Sequence, residues 1–184
     1  GYTQTFSGDC DENGNVNVTI NTSKTCTITN NDTATTITVL KEIINDNGGN
    51  IGIEQVILRL NGDAVTNNTP NSVNAGGHTV TEDAILGYSS TIGGDCAANG
   101  SISISLGQSK ICTIKNDDEQ AYIIVDKTVV NDNGGSAVAD DFLLTVDGSA
   151  ASDEVPVPVS PGVHTAGETS LPGYTAGSFG GDCE

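Results

Sequence analysis

Apolar and polar residues alternate through most of this chain, and a helical period is almost absent. Residues two apart on an extended backbone share a face, so six stretches are predicted strands: Ile37 to Ile44, Val56 to Leu60, Ser101 to Leu106, Ile111 to Lys115, Ile123 to Val130 and Phe142 to Val146. Asn61-Gly62 and Asp147-Gly148 each follow a strand and carry the residues that tight two-residue hairpin turns require. Seven or so short strands per unit predict an all-β protein built of Ig-like β-sandwiches.

The pattern repeats every 86 residues. Gly1-Tyr2, Gly87-Tyr88 and Gly173-Tyr174 coincide under that shift, as do Asn45-Asp46-Asn47-Gly48-Gly49 with Asn131-Asp132-Asn133-Gly134-Gly135, and Cys10 and Cys26 with Cys96 and Cys112. A period this long marks one folding unit used in tandem, an arrangement that serves length and presentation. The chain starts and stops inside a repeat and reads as part of a longer array. Residues 1–32 are expected to be the closing strands of a preceding repeat, 33–118 a complete β-sandwich, and 119–184 the opening part of the next. Were the units separate subunits of a fibre, residues 1–32 of the next molecule would fill the edges left open, giving head-to-tail strand complementation.

Strand parity puts polar groups on inward faces. Ile37, Val39, Lys41 and Ile43 share one side of their strand, as Ile123, Val125, Lys127 and Val129 do in the next copy. Val80 shares a face with Glu82, which Glu168 repeats; Cys112 and Ile114 share one with Asn116, and Cys26 and Ile28 with Asn30. An unpaired buried charge is costly, so the Lys and Glu need each other. Desolvation favours the neutral forms of both, and a neutral Lys41 amine is a nucleophile that can attack the side-chain carbonyl of Asn116, with protonated Glu82 polarising it. The product is an intramolecular isopeptide bond. Lys127, Glu168 and Asn30 form a partial set of the same kind. The bland alternative is a salt bridge in which Lys41 reaches to the rim beside Glu82.

Five Cys fit a framework of staples. Cys10 to Cys26 and Cys96 to Cys112 share a spacing of 16 and the frame Gly-Asp-Cys, Asn-Gly, alternating run, Cys-Thr-Ile, so each is read as a disulfide across a hairpin, leaving Cys183 unpaired within the chain. Zinc is the competing reading, but there is no Cys-x-x-Cys and only two His. The 24 acidic residues against 6 basic ones, a formal net charge of −18, argue against nucleic acid and anionic lipid as partners and favour divalent cations. No membrane-spanning segment is present. Asp46, Asn47, Asp132, Asn133, Asp117 and Asp118 offer clustered oxygen ligands for calcium, although Asn- and Gly-rich loops are also ordinary turns; no cofactor is required. Sequons at Asn17, Asn21, Asn31, Asn67 and Asn99 permit N-glycosylation of a secreted protein. His78 and His164 have no obvious nucleophile beside them, and an enzyme is not expected.

Lys41 in the first strand, the run His78-Thr79-Val80-Thr81-Glu82 followed by Gly87-Tyr88, and Asn116 at the end of the last strand resemble the B-type domains of collagen adhesins and the SpaA-like pilin domains with a prealbumin-like fold. The Asn-Asp-Asn-Gly-Gly, Gly-Asp-Cys and Cys-Thr-Ile segments resemble more closely still the tandem, disulfide-containing prealbumin-like repeats of microbial surface proteins. The resemblance covers essentially the whole chain and implies an extracellular structural repeat of a filament, pilus or adhesin stalk, whose partners are neighbouring copies of itself. A ligand-binding adhesin module attaching to a host, matrix or glycan is the alternative. Tyr2, Tyr88 and Tyr174 recur at one repeat position beside Gly, which reads as scaffold packing and favours the spacer.

Overall fold

In a computed structural model, residues 1–183 are described, and they are nearly all β. They divide into two compact units, Gly1–Ile44 with Ile51–Asp117, and Asn45–Asn50 with Asp118–Glu184. In chain order the first contains β1 (Tyr2–Gly8), β2 (Cys26–Asp32), β3 (Thr35–Ile44), β4 (Leu58–Leu60), β5 (Asp63–Val65), β6 (Pro70–Val73), β7 (Gly76–Glu82), β8 (Tyr88–Gly94), β9 (Ser101–Ile104) and β10 (Ser109–Asp118), the last residue of which falls in the second unit.

Two four-stranded sheets, ordered β6-β3-β10-β8 and β5-β4-β7-β9, make the sandwich of the first unit. Its core draws on both: Ile37, Val39, Cys112 and Ile114 from one sheet, and Leu58, Leu60, Val80, Ile102 and Ile104 from the other. The alternation in the sequence follows from this, since each strand gives one face to the other sheet and one to water. β3 and β10 are the long pair, and they run parallel, with Cys112 beside Val39, Ile114 beside Lys41 and Asn116 beside Ile43. Between β4 and β5, Asn61 and Gly62 both have positive φ (55° and 92°), the geometry of a type I′ turn. The strand expected at Val56 is shorter: a 3-10 turn at Ile53–Gln55 precedes it and pairing begins only at Leu58.

Ahead of that sandwich, β1 and β2 form a two-stranded antiparallel sheet of their own, from Tyr2 opposite Asp32 to Gly8 opposite Cys26. Cys26, Ile28 and Asn30 share a face as expected, but that face is exposed. Parity fixes only which residues go together; burial needs a second sheet, and here none covers them.

The second unit contains β11 (Ala121–Ile123), β12 (Leu144–Val146), β13 (Ser149–Ala151), β14 (Val157–Val159) and β15 (Ala166–Glu168), in sheets β11-β14 and β13-β12-β15. Asp147-Gly148 turns as Asn61-Gly62 does, with φ of 50° and 77°. The strand expected over Ile123 to Val130 pairs only up to Ile123; beyond it the inward and outward alternation persists without a strand beside it.

Disulfides join Cys10 to Cys26 and Cys96 to Cys112, with Cα atoms 5.2 and 5.1 Å apart, and Cys183 is free and exposed. Cys96 and Cys112 lie within the core cluster. Replacing both with Ala is expected to lower the stability of the first unit's sandwich by about 3 kcal/mol. The same change at Cys10 and Cys26 should leave its main unfolding transition in place, because their sheet contributes nothing to that core; chemical denaturation under oxidising conditions distinguishes the two variants.

Candidate functional site: a buried Lys, Glu and Asn

β3 delivers Lys41 into the interior of the first unit, with a side chain of zero exposure. Its Nζ donates to Glu82 Oε2 on β7 at 2.6 Å, and Glu82 is itself 7% exposed. Lys41 and Glu82 thus form the salt bridge of the alternative reading, but buried in the interior and not at the rim. Burial pushes the Lys41 amine below its ordinary value, and the hydrogen bond and charge of Glu82 act in the opposite direction. On β10, two residues past Ile114 and so on the same inward face, Asn116 is 1% exposed and its Oδ1 has no hydrogen-bond partner. Asn116 and Glu82 line one recess together with Tyr88, Ile85 and Ile92.

An orphaned carbonyl oxygen is an uncommon sight in a packed interior and costs about 1–3 kcal/mol. Here it belongs to the residue whose carbonyl carbon the amine would attack. Lys41 is further fixed through its backbone, whose N–H donates to Asn67 Oδ1 at 2.8 Å. That role occupies the Asn67 carboxamide, one of the five sequon positions; Asn99 Oδ1 likewise accepts from Ser101, while Asn17, Asn21 and Asn31 are exposed.

The second unit repeats half of this arrangement. Lys127 Nζ lies 2.6 Å from Glu168 Oε2, but the two side chains are 18% and 17% exposed, and Lys127 also sits 4.5 Å above the Phe142 ring. Asp153 takes the part of Asn67, accepting the Lys127 backbone N–H. Asn30, the remaining member of the partial set, is on the exposed β2.

Asp118, one of the residues expected to offer oxygen ligands, is held by the loop to which Asp46 and Asn47 belong. Asp118 receives backbone N–H groups on both carboxylate oxygens: Asp46 and Asn47 donate to Oδ1, and Asn47 and Gly49 to Oδ2, at 2.6 to 3.1 Å. Burial alone would raise its pKa, yet the N–H donors of Gly49, Asn47 and Asp46 together hold it below the ordinary value. The loop is thus an anion cradle, with its amide hydrogens turned toward a carboxylate. Asp46 and Asp132 are each bound by the side-chain amide of the following Asn, Asn47 and Asn133, and Asp117 lies 3.6 Å from Lys115. The direction of the backbone N–H groups, which composition does not record, is what makes the loop a cradle for Asp118. The sole sequence signal was that an Asp recurs at 32 and 118, in step with the repeat.

The two His occupy equivalent repeat positions and differ in their hydrogen-bond partners. His78 Nε2 faces the Asn74 carbonyl oxygen and Nδ1 faces the Asn61 amide nitrogen, so Nε2 donates and Nδ1 accepts. His164 Nε2 faces the Ser160 carbonyl oxygen and Nδ1 the Asp147 carboxylate, each at 2.6 Å; both nitrogens donate, which makes the ring an imidazolium. Accordingly the Asp147 hydrogen bond, helped by Ser160, raises His164 above its ordinary 6.5, and the same contact lowers Asp147. Stability from the raised His is present in full below its unfolded value and is lost as pH rises through the folded one, and that from the lowered Asp is lost as pH falls through its own. The second unit should be more stable near about pH 5.5 than near about pH 8.5. Asp147→Asn, which copies Asn61, is expected to flatten that dependence; hydrogen exchange across the second unit as a function of pH reads it.

Tyr88 and Tyr174 serve the scaffold at equivalent positions. Ile51 N–H donates to the Tyr88 hydroxyl, and Ala137 N–H to that of Tyr174, which in turn donates to Asn131 Oδ1 and packs edge-on against Phe142.

Among the described residues no helix is long and apolar enough to cross a membrane. No curated protein and no solved structure is significantly similar to the chain. The pattern of the prealbumin-like fold domain, of the SpaA type, matches it twice, over residues 32–114 and 118–183. With its two matches spanning most of the sequence, the all-β architecture and the parallel first and last strands of the sandwich, the chain belongs to the family of SpaA-type prealbumin-like fold domains, which are pilin-like structural modules of surface proteins.

Proposed function

We propose that this chain is a structural repeat of an extracellular filament, pilus or adhesin stalk, in which residues 33–118 are one complete repeat, 1–32 close a preceding one and 119–184 open the next. It acts by holding its shape outside the cell, and it turns over no substrate. The observation that carries this reading is the buried trio of Lys41, Glu82 and Asn116 in a disulfide-stapled sandwich: costly chemistry invested in the interior of a repeated unit.

The trio supports an isopeptide cross-link. The short Lys41–Glu82 contact lets a proton pass to the carboxylate, leaving a neutral amine. Its nitrogen attacks Cγ of Asn116, while the Glu82 proton goes to the unsatisfied Oδ1 as that oxygen takes up negative charge. The tetrahedral centre collapses: Oδ1 returns its proton to Glu82 as the carbonyl re-forms, the bond to Nδ2 breaks and ammonia leaves with the proton surrendered by the attacking nitrogen. One amide forms for one amide lost, with no oxidant and no metal. The recess beside Asn116 and Glu82 gives ammonia a way out.

Intact-mass measurement of the purified chain is expected to show the loss of one ammonia, about 17 Da, through a reaction that Glu82→Gln and Asn116→Ala each abolish. An unchanged wild-type mass would discard the bond. A cross-link between residues this far apart in sequence should stabilise the first unit by about 4 kcal/mol over Asn116→Ala on the loop-entropy estimate, beyond any packing loss.

No metal is needed. The Asp118 carboxylate already holds N–H donors on both oxygens, so the melting temperature is expected to be the same in calcium and in chelator.

A further inference from the structure

Pro70 has no N–H to give, and with it the pairing of β6 against β3 ends, opposite Thr38. From Val39 onward β3 keeps the β10 ladder on one side and, among the described residues, has no strand on the other. Lys41 lies in that stretch and is only 2% exposed, so its backbone N–H is out of reach of water and needs an acceptor from the protein.

The turn ahead of Pro70 supplies one. Asn68 N–H donates to the Val39 carbonyl oxygen at 2.8 Å, and Asn67 Oδ1 accepts from Lys41 N–H at the same distance. Two rungs thus continue the ladder where the strand has stopped, the second made by a side-chain carbonyl in place of a main-chain one.

The second unit builds the same turn from other residues. Glu154 N–H donates to the Val125 carbonyl oxygen at 2.9 Å, and Asp153 Oδ1 accepts from Lys127 N–H at 2.7 Å, ahead of Pro156. Asn68 and Glu154 both have positive φ, 55° and 56°, a conformation that a glutamate rarely adopts. Between Thr66-Asn67-Asn68-Thr69-Pro70 and Ser152-Asp153-Glu154-Val155-Pro156 only the proline is the same residue. What else is kept is an Oδ1 just ahead of the positive φ, an amide oxygen in one unit and a carboxyl oxygen in the other. Each time, the N–H it takes is that of the inward lysine. A backbone conformation held against the preference of its residue points to a task for the turn.

We propose that Asn67 is a positioning residue for the reaction of Lys41 with Asn116. Its oxygen holds the β3 backbone from the edge that β10 does not reach, and so fixes the root from which the Lys41 amine extends to Glu82 and toward Cγ of Asn116. Asn67 acts through the backbone of Lys41 and not on the reacting atoms. Without it, the Lys41 N–H either stays unpaired in the interior or draws the strand outward to water, and a displacement of about 1 Å is enough to slow such a reaction about a hundredfold. This role rests on the cross-link reading and adds to it the residue that aims the nucleophile.

Cross-linking timed from synthesis tests it, with the full 184-residue chain made in an oxidising cell-free system and the loss of ammonia followed by intact mass. Asn67→Ala should slow that loss at least about tenfold, whereas Asn67→Asp, which restores the acceptor and copies Asp153, should stay within about threefold of the wild type. Should Asn67→Ala not fold, the milder Asn67→Ser, whose hydroxyl stops short of Lys41, gives the same reading. Ile102→Val, a core change on the opposite sheet, controls for lost stability alone and should leave the rate where it is. Three results overturn the positioning role while the cross-link stands: Asn67→Ala reacting at the wild-type rate, Asn67→Asp as slow as Asn67→Ala, or Ile102→Val slowed as much as either. A wild type that never loses ammonia is a different outcome, and it discards the cross-link and the positioning role together.

Discussion

The parallel pairing of β3 with β10 is the constraint on which the first unit depends. These are the first and last strands of the sandwich, separated by the whole of its sequence, and their meeting closes the sheet that covers Leu58, Leu60, Val80, Ile102 and Ile104. Loop closure over so long a stretch is entropically expensive, and two devices offset it: the apolar run Ile37, Val39, Cys112 and Ile114, and the disulfide that ties β10 to the chain ahead of it. Lys41 and Asn116 lie on these two strands, facing the same interior. The chemistry proposed for them joins what the hydrophobic effect has already brought together.

Where that pairing is missing, the same amino acids behave differently. β11 begins as β3 does, yet its ladder ends after three residues, and Lys127 keeps water beside it. β2 has the Cys-Thr-Ile start of the closing strand but lies in the open. The contrast separates what a strand owes to its own sequence from what it owes to neighbours: alternation survives alone, and burial does not.

Much of this was legible in advance. The period of 86, the hairpin turns at Asn61 and Asp147, both disulfides and the inward placement of Lys41, Glu82 and Asn116 follow from spacing and parity, because each is a short-range property of an extended backbone. Three things were not. The 3-10 turn at Ile53–Gln55 was not anticipated, and pairing starts at Leu58, two residues later than the expected strand. The polarity of the Asn-Asp-Asn-Gly-Gly loops depends on where backbone N–H groups point, which side-chain composition does not record. The charge of His164 depends on a carbonyl and a carboxylate on opposite sides of one ring, a coincidence of loop geometry.

Parallel first and last strands also decide how the sandwich meets tension. A chain that enters along β3 and leaves along β10 passes through the unit from one end to the other, so a pull on its termini slides the two strands past each other in shear. All the hydrogen bonds of that ladder then share the load at once, where an antiparallel pair pulled from one end would peel apart a bond at a time. An amide between Lys41 and Asn116 would span those same two strands and carry force along covalent bonds, sparing the segment between them from ever being stretched.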